Sequence, residues 1–151
     1  MSVKKLTIGA AIAAIYAVLT IFLAPISYGP LQCRISEALC VLPAFSPIAV
    51  WGLFVGCLVA NIFTGSLVDI IFGSLTTLIA AILTYKTRKN IYVAMIFPVV
   101  LNALIVGTYL AIIYGGIPIF LSILYVGLGQ AISCYCLGIP LHKLIKKKNL
   151  I

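Results

Sequence analysis

The chain has 151 residues, of which 64% are hydrophobic and only 8% are charged, and its mean hydropathy is +1.30. This composition excludes a soluble globular domain, and the long continuous apolar runs exclude a membrane β-barrel, whose strands alternate in polarity. The net charge of +8 comes from basic residues at the ends of apolar runs, so it indicates membrane topology and argues against nucleic-acid binding.

Six apolar segments, separated by Pro, Gly and charged residues, predict an all-α integral membrane bundle of six transmembrane helices in one domain, residues 1–151. One crossing helix needs about 20 apolar residues, so a chain of this length accommodates about six of them with short connections. The predicted spans are 6–24, 34–44, 47–64, 67–85, 90–114 and 118–143.

The two segments nearest the N-terminus differ from a simple crossing helix. The first follows Lys4 and Lys5, as in a signal peptide, but five further spans favour a retained helix. The second is too short to cross a bilayer alone, because Pro30 precedes it and Pro43 and Pro47 bracket its far end. Such an element is tolerated at membrane depth only where protein or a cavity covers its backbone.

The basic residues predict the orientation of the bundle in the cell membrane. They precede the first span and follow the fourth and the sixth: Lys4, Lys5, Lys86, Arg88, Lys89, Lys143, Lys146, Lys147 and Lys148. Connections on the opposite side lack Lys and Arg apart from Arg34. Since positive charge accumulates on the cytoplasmic side, both termini are predicted to be cytoplasmic.

Three ionisable residues are not explained as cytoplasmic flanks, namely Arg34, Glu37 and Asp69. Placing an ionisable group in or near the hydrocarbon region costs free energy, so its presence there indicates a functional site. In the predicted topology all three lie at the outer ends of spans, and further polar side chains lie between there and the middle of the bundle: Asn61, Asn102, Tyr109 and Gln130. These residues predict an outward-facing binding pocket.

Purely structural roles remain open for the same residues. Arg34 and Glu37 are spaced i,i+3 and are able to neutralise each other on one helix face. Asp69 follows Gly65-Ser66 at a helix start, where a carboxylate accepts hydrogen bonds from free backbone N–H groups. The amides of Asn61, Asn102 and Gln130 are of a kind that commonly joins neighbouring helices.

Small residues at four-residue spacing mark the first span and allow close approach by another helix. They are Gly9, Ala10, Ala13, Ala14 and Ala17. The stripe lies in the cytoplasmic half, so it indicates either a partner protein or packing within the bundle. No phosphate-binding loop, HExxH, GxSxG or dinucleotide fingerprint occurs in the sequence, so no enzyme activity, cofactor or metal site is expected.

The stretch from Gly29 to Pro43, with the pattern Gln-x-Arg-x-Ser-Glu-Ala-Leu-x-x-Leu-Pro, and the stretch from Gly52 to Ile62 resemble the QueT family. The resemblance covers nearly the whole chain. It implies a six-helix substrate-specificity subunit, or S component, of an energy-coupling factor (ECF) transporter. Implied partners are a transmembrane coupling protein and two cytoplasmic ATPases, with Ala10, Ala13, Ala14 and Ala17 as the docking face for the coupling protein.

The implied ligand is a queuosine precursor, 7-aminomethyl-7-deazaguanine (prequeuosine), which carries an ammonium arm and a guanine-like edge. A carboxylate suits either end, and we expect Glu37 to bind the guanine-like edge and Asp69 to bind the cation. Arg34 is expected to orient Glu37. Further candidates are Gln32, Asn61, Asn102 and Gln130 for ring groups and Tyr109 or Tyr125 for stacking, with residues 24–33 and the second span as a lid.

Two other functions fit the same sequence. An S component for another vitamin or nucleobase-like metabolite shares the fold and the dependence on ATPases, and differs in its pocket. A non-transporting membrane assembly subunit uses its buried charges only as pairs, and it predicts no saturable binding of a small molecule.

Overall fold

A computed structural model describes residues 3–28 and 32–148, apart from the side chains of Thr64 and Tyr114. The described residues form helices and turns only, which confirms the all-α class. The main elements are α1 (Val3–Phe22), a 3-10 helix (Ile35–Ala44), α2 (Ile48–Thr64), α3 (Asp69–Lys86), α4 (Ile91–Ile113) and α5 (Ile119–Lys148). A single helical turn, Ala24–Ser27, follows α1.

Four of these helices have the length and hydropathy of membrane-crossing segments, namely α1, α3, α4 and α5. The 3-10 helix has 10 residues and spans about 20 Å at about 2 Å per residue, less than the roughly 30 Å of a hydrocarbon core. Helix α2 has 17 residues and is also shorter than the usual span. The structure therefore supports a multi-span bundle, and the count of six crossings stays a prediction.

Local sequence explains where several helices end. Gly65 ends α2 in the left-handed conformation, with φ of 74°. Asn90 caps α4, because its side-chain oxygen accepts hydrogen bonds from the backbone N–H groups of Tyr92 and Val93. Pro118 directly precedes α5. These signals separate helices that are otherwise continuous in their apolar character.

The outer surface of the bundle is apolar. Large hydrophobic side chains are exposed along the helices, among them Phe22, Phe63 and Phe120, each more than 70% exposed. Contiguous apolar surface of this kind is rare on water-soluble monomers. Such exposure is unfavourable in water but not in a bilayer, because lipid chains solvate these side chains as well as a protein core does.

Helices α1 and α2 pack closely along their length through glycine. A Cβ atom added at Gly52 would lie 2.9 Å from the carbonyl oxygen of Gly9. One added at Gly56 would lie 2.7 Å from the carbonyl oxygen of Ala13 and 2.8 Å from the Cβ of Tyr16. The two backbones approach this closely only because both positions of α2 lack a side chain.

The short 3-10 helix lies at the centre of the bundle and contacts all five α-helices. Most of its side chains are buried, including Glu37, Cys40 and Val41. Protein thus surrounds an element that is too short to cross a bilayer, as its position at membrane depth requires.

Three long helices contain a π-helical segment, at the start of α3 and within α4 and α5. These segments are Asp69–Gly73 in α3, Asn102–Val106 in α4 and Ile132–Gly138 in α5. Such segments are rare and occur frequently at functional sites, because the wider turn frees backbone groups and turns side chains to new directions. Each one includes a buried polar residue, which brings Asp69, Asn102 and Ser133 to irregular positions of the bundle.

Candidate functional site

Both carboxylate side chains of the chain lie in the interior. Glu37 is 1% exposed and Asp69 is 3% exposed, and the chain has no other Asp or Glu. Among the basic residues only Arg34 is buried, at 5% exposure, whereas the nine other lysines and arginines are exposed. One guanidinium against two carboxylates leaves a formal excess of one negative charge inside the bundle.

Glu37 joins three elements through its carboxylate. The hydroxyl of Tyr16 on α1 donates to Oε1, while the thiol of Cys40 and the Nε2 amide of Gln130 on α5 donate to Oε2, each at 2.9 Å. All three partners donate, which suits an ionised, acceptor-only carboxylate. Glu37 therefore cross-links α1, the 3-10 helix and α5.

Asp69 has a different environment at the start of α3. Its Oδ1 accepts a hydrogen bond of 2.5 Å from the hydroxyl of Tyr109 on α4. Its backbone carbonyl accepts one of 2.8 Å from the Nδ2 amide of Asn61 on α2, and its backbone N–H donates to the Oγ of Ser66. Within the described residues Oδ2 has no hydrogen-bond partner. One carboxylate oxygen of Asp69 is thus available to a ligand.

The alternative capping role of Asp69 is not seen. Its carboxylate accepts from a phenol of another helix, whereas Ser66 supplies the oxygen that bonds a backbone N–H group at this helix start. Gly73 makes room for the arrangement, because a Cβ there would lie 3.1 Å from Nδ2 of Asn61 and 3.4 Å from the hydroxyl of Tyr109. Asn61, Asp69 and Tyr109 thus form one cluster, as their sequence positions predict.

Arg34 does not pair with Glu37, contrary to the role expected from their spacing. Arg34 precedes the 3-10 helix with extended backbone, at φ −84° and ψ 103°, so the two side chains do not share a helical face. Its Nε donates to the carbonyl oxygen of Ser27 at 3.4 Å, and its guanidinium lies 5.0 Å from the ring centre of Tyr28. The described contacts of the Arg34 side chain are thus with Ser27 and Tyr28, on the chain before the 3-10 helix.

Three other predicted residues make no contact that joins them to these clusters. Asn102 donates from Nδ2 to the carbonyl oxygen of Pro98 in its own helix, at 2.9 Å. Gln32 is buried with φ of 41°, and Tyr125 is half-buried; neither side chain forms a hydrogen bond within the described part of the chain. Their place in a binding site remains a prediction.

Several polar side chains near the site were not expected from the sequence. The hydroxyls of Thr20 and Ser36 lie 2.6 Å apart, and Tyr28 donates to the carbonyl oxygen of Ala60 at 3.0 Å. Tyr16 and Thr20 are spaced i,i+4 on α1, and this spacing is the one signal that could have located a polar face on an otherwise apolar helix.

The small residues of α1 divide between the surface and the interior. Ala10 and Ala14 are exposed and Ala13 is half-buried, but Ala17 is only 7% exposed and belongs to the internal packing. Beside them a surface groove of about 430 Å³ runs between α1 and α2. Its lining residues are Leu6, Gly9, Ala10, Ala13, Ile48, Trp51, Gly52 and Val55. Internal packing is thus seen for Ala17, and the contact with a partner protein stays a prediction.

Comparison with known proteins gives a family. A family model described as "QueT transporter" matches residues 6–147. A protein of Lactococcus lactis subsp. cremoris (strain MG1363), named "Queuosine precursor transporter QueT", is 39% identical over 72 residues. That alignment covers 46% of this chain and 43% of the relative, so the chain matches less than half of the relative's length. No solved structure matches the chain. Since the family match spans nearly all of this multi-span helical bundle, the chain belongs to the QueT transporter family of membrane proteins.

Proposed function

We propose that the chain is the S component of an ECF importer and captures 7-aminomethyl-7-deazaguanine in an outward-facing pocket for ATP-driven uptake. The family supports a transport function, and the Lactococcus relative is named for a queuosine precursor. The phosphate-binding loop absent from the sequence is supplied by the two partner ATPases in this scheme.

The buried charges are the observation that carries the proposal. Arg34, Glu37 and Asp69 together leave one unbalanced negative charge in a bundle whose surroundings are apolar. A ligand with a single ammonium group brings the interior to neutrality, and a neutral or anionic ligand does not. Because unbalanced charge is costly at low dielectric, a monocation is the ligand class that gains most from this site.

Asp69 is the proposed partner of the ammonium group. Its Oδ2 has no hydrogen-bond partner within the described residues, and Tyr109 holds Oδ1 in place. A charge-assisted hydrogen bond at Oδ2 therefore requires little rearrangement of the protein.

Glu37 is the proposed acceptor for the guanine-like edge, which offers a ring N–H and an amino group. Both oxygens already accept from the protein, so the edge would take the place of the thiol of Cys40, a weak donor. Gln130 lies on the same carboxylate and is positioned for the remaining ring groups. Gln32, Asn102 and Tyr125 are proposed as further contacts of the ligand.

The exposed basic residues support the proposed orientation, with both termini in the cytoplasm. A cavity of about 530 Å³ brings Arg88 and Lys89, from the turn before α4, together with His142 and Lys146 near the end of α5. Two of the basic clusters thus lie at one end of the bundle, as a common cytoplasmic side requires.

The coupling protein is proposed to dock on the groove beside Ala10 and Ala14. We expect Ala14→Trp to abolish co-purification with the coupling protein and ATPases, and uptake with it, because the large side chain prevents close helix approach. Ligand binding by the isolated subunit should stay within about twofold of wild type, since the Ala14 side chain is exposed on the outside of α1, whereas Tyr16 and Glu37 are buried. Ile79→Trp, at an exposed position of α3, is the matched control and should assemble normally.

Equilibrium binding to the detergent-purified protein tests the proposed substrate. We expect saturable binding of 7-aminomethyl-7-deazaguanine, with weaker binding of the nitrile precursor, which lacks the cation, and of guanine, which lacks the arm. If well-folded protein binds none of the three, the substrate is wrong; if it binds guanine as tightly as the aminomethyl compound, an S component for a nucleobase replaces this proposal.

A further inference from the structure

Within the described residues, two polar side-chain atoms on contacting residues are buried without a hydrogen-bond partner. They are Nη2 of Arg34 and Oγ of Ser27. The residues contact each other because Nε of Arg34 donates to the carbonyl oxygen of Ser27 at 3.4 Å. Buried polar groups in native proteins almost always have partners, so two adjacent unpaired ones indicate a place where another molecule binds.

The guanidinium needs an acceptor, because it has five N–H donors and no acceptor of its own. The carboxylates do not supply one: Glu37 accepts from three other donors, and the described hydrogen bond of Asp69 is with Tyr109. An unpaired N–H of a buried cation is among the most costly groups to leave unsatisfied. A bound ligand with an acceptor atom removes that cost.

The guanidinium is held in a fixed position for such a ligand. One side lies against the ring of Tyr28, whose own hydroxyl is anchored on the carbonyl oxygen of Ala60, and Nε is anchored on Ser27. These contacts leave Nη2 of the guanidinium group without a hydrogen-bond partner among the described residues. A preorganised donor loses little side-chain entropy when it binds an acceptor.

The charge of the interior selects a neutral acceptor over an anion. Two carboxylates already outnumber the one guanidinium, so an anion at Arg34 would increase the excess of negative charge. A ring carbonyl oxygen accepts the same hydrogen bonds and adds no charge.

We infer that Nη2 of Arg34, aided by the hydroxyl of Ser27, donates to the ring carbonyl oxygen of the ligand and so selects keto over amino purine-like rings. This inference rests on the proposed function, and it gives Arg34 a direct contact with substrate in place of the expected contact with Glu37. An amino group at the same ring position presents N–H groups to a donor that has no acceptor, and it should be rejected.

The test compares 7-aminomethyl-7-deazaguanine with its 2,6-diamino counterpart, in which an amino group replaces the carbonyl and the adjacent ring N–H becomes an acceptor. The second change faces Glu37 and is the same in every Arg34 variant. Wild type should bind the keto compound about tenfold or more tightly, because the amino compound leaves the guanidinium unpaired. In Arg34→Gln, whose side chain both donates and accepts, the ratio should fall clearly below that of wild type, and the preference that remains is due to Glu37. Asp69→Asn is the matched control, because it should weaken both ligands and keep their ratio.

The outcomes separate this inference from the proposed function. If wild type binds both compounds equally, or if Arg34→Gln binds with an unchanged ratio, Arg34 does not read the carbonyl although the substrate class stands. If wild type binds neither compound, the proposed function itself fails. Should Arg34→Gln not fold, Arg34→Met replaces it, since methionine keeps the length and has no donor; its ratio must also fall.

Discussion

We expect Asp69→Asn to weaken the binding of 7-aminomethyl-7-deazaguanine about thirtyfold or more. The substitution keeps an acceptor oxygen for Tyr109 but removes the negative charge that faces the ammonium group. Truncating one partner of a buried charge pair costs about 2 kcal/mol or more, which corresponds to that factor in Kd. Equilibrium binding to purified protein measures the effect.

The nitrile precursor supplies the control for this result. It has no cation, so its Kd should change about threefold or less in Asp69→Asn, and a double-mutant cycle over the two proteins and the two ligands isolates the charge interaction. Tyr109→Phe keeps the carboxylate and removes only its hydrogen bond, so it should give an intermediate loss. Equal weakening of both ligands in Asp69→Asn would show that Asp69 does not bind the ammonium group.

The helices could be predicted from the sequence because apolar runs and breaks in them are strong local signals. Gly65, Asn90 and Pro118 each mark a helix end by a conformational preference of that residue. The π-helical segments have no such signal: Asp69–Gly73 reads as an ordinary helical stretch. The number of membrane crossings could not be predicted from the sequence either. Whether the short 3-10 helix lies at membrane depth depends on the protein around it rather than on its own hydropathy.

The candidate site could be predicted where charge or an amide made a residue conspicuous in an apolar chain. Asn61, Asp69 and Tyr109 meet in one cluster, and Glu37 meets Gln130. Tyr16 and Cys40 were missed, since a tyrosine or cysteine in an apolar helix is more often packing than a hydrogen-bond donor to a carboxylate.

The partners of Arg34 were missed for a geometric reason. The i,i+3 spacing brings two side chains together only where both belong to the helix, and the 3-10 helix begins one residue after Arg34. The side chain is therefore directed to Ser27 and Tyr28, on the chain before it, instead of to Glu37. A helix boundary cannot be placed from sequence to within one residue, and here one residue decides the partner.

The two carboxylates look equivalent in sequence, but we expect Glu37 to be needed for the fold as well as for the ligand. Its carboxylate accepts from Tyr16, Cys40 and Gln130 and so connects three elements of the bundle. In Glu37→Gln an NH₂ group replaces one of the two carboxylate oxygens that accept these hydrogen bonds. At least one of the three donors then loses its acceptor. Each buried group left unsatisfied costs about 1–3 kcal/mol, so the variant should unfold at a clearly lower temperature without ligand.

Asp69→Asn is the matched comparison for Glu37→Gln, because both exchange a buried carboxylate for an amide of the same shape. Asparagine still offers a carbonyl oxygen to Tyr109, and no donor faces Oδ2 within the described residues, so the melting temperature without ligand should stay near that of wild type. The melting temperature of Glu37→Gln without ligand should lie well below those of wild type and Asp69→Asn. If the two variants melt alike, the three hydrogen bonds to Glu37 do not hold α1, the 3-10 helix and α5 together, and Glu37 is then free to serve the ligand alone.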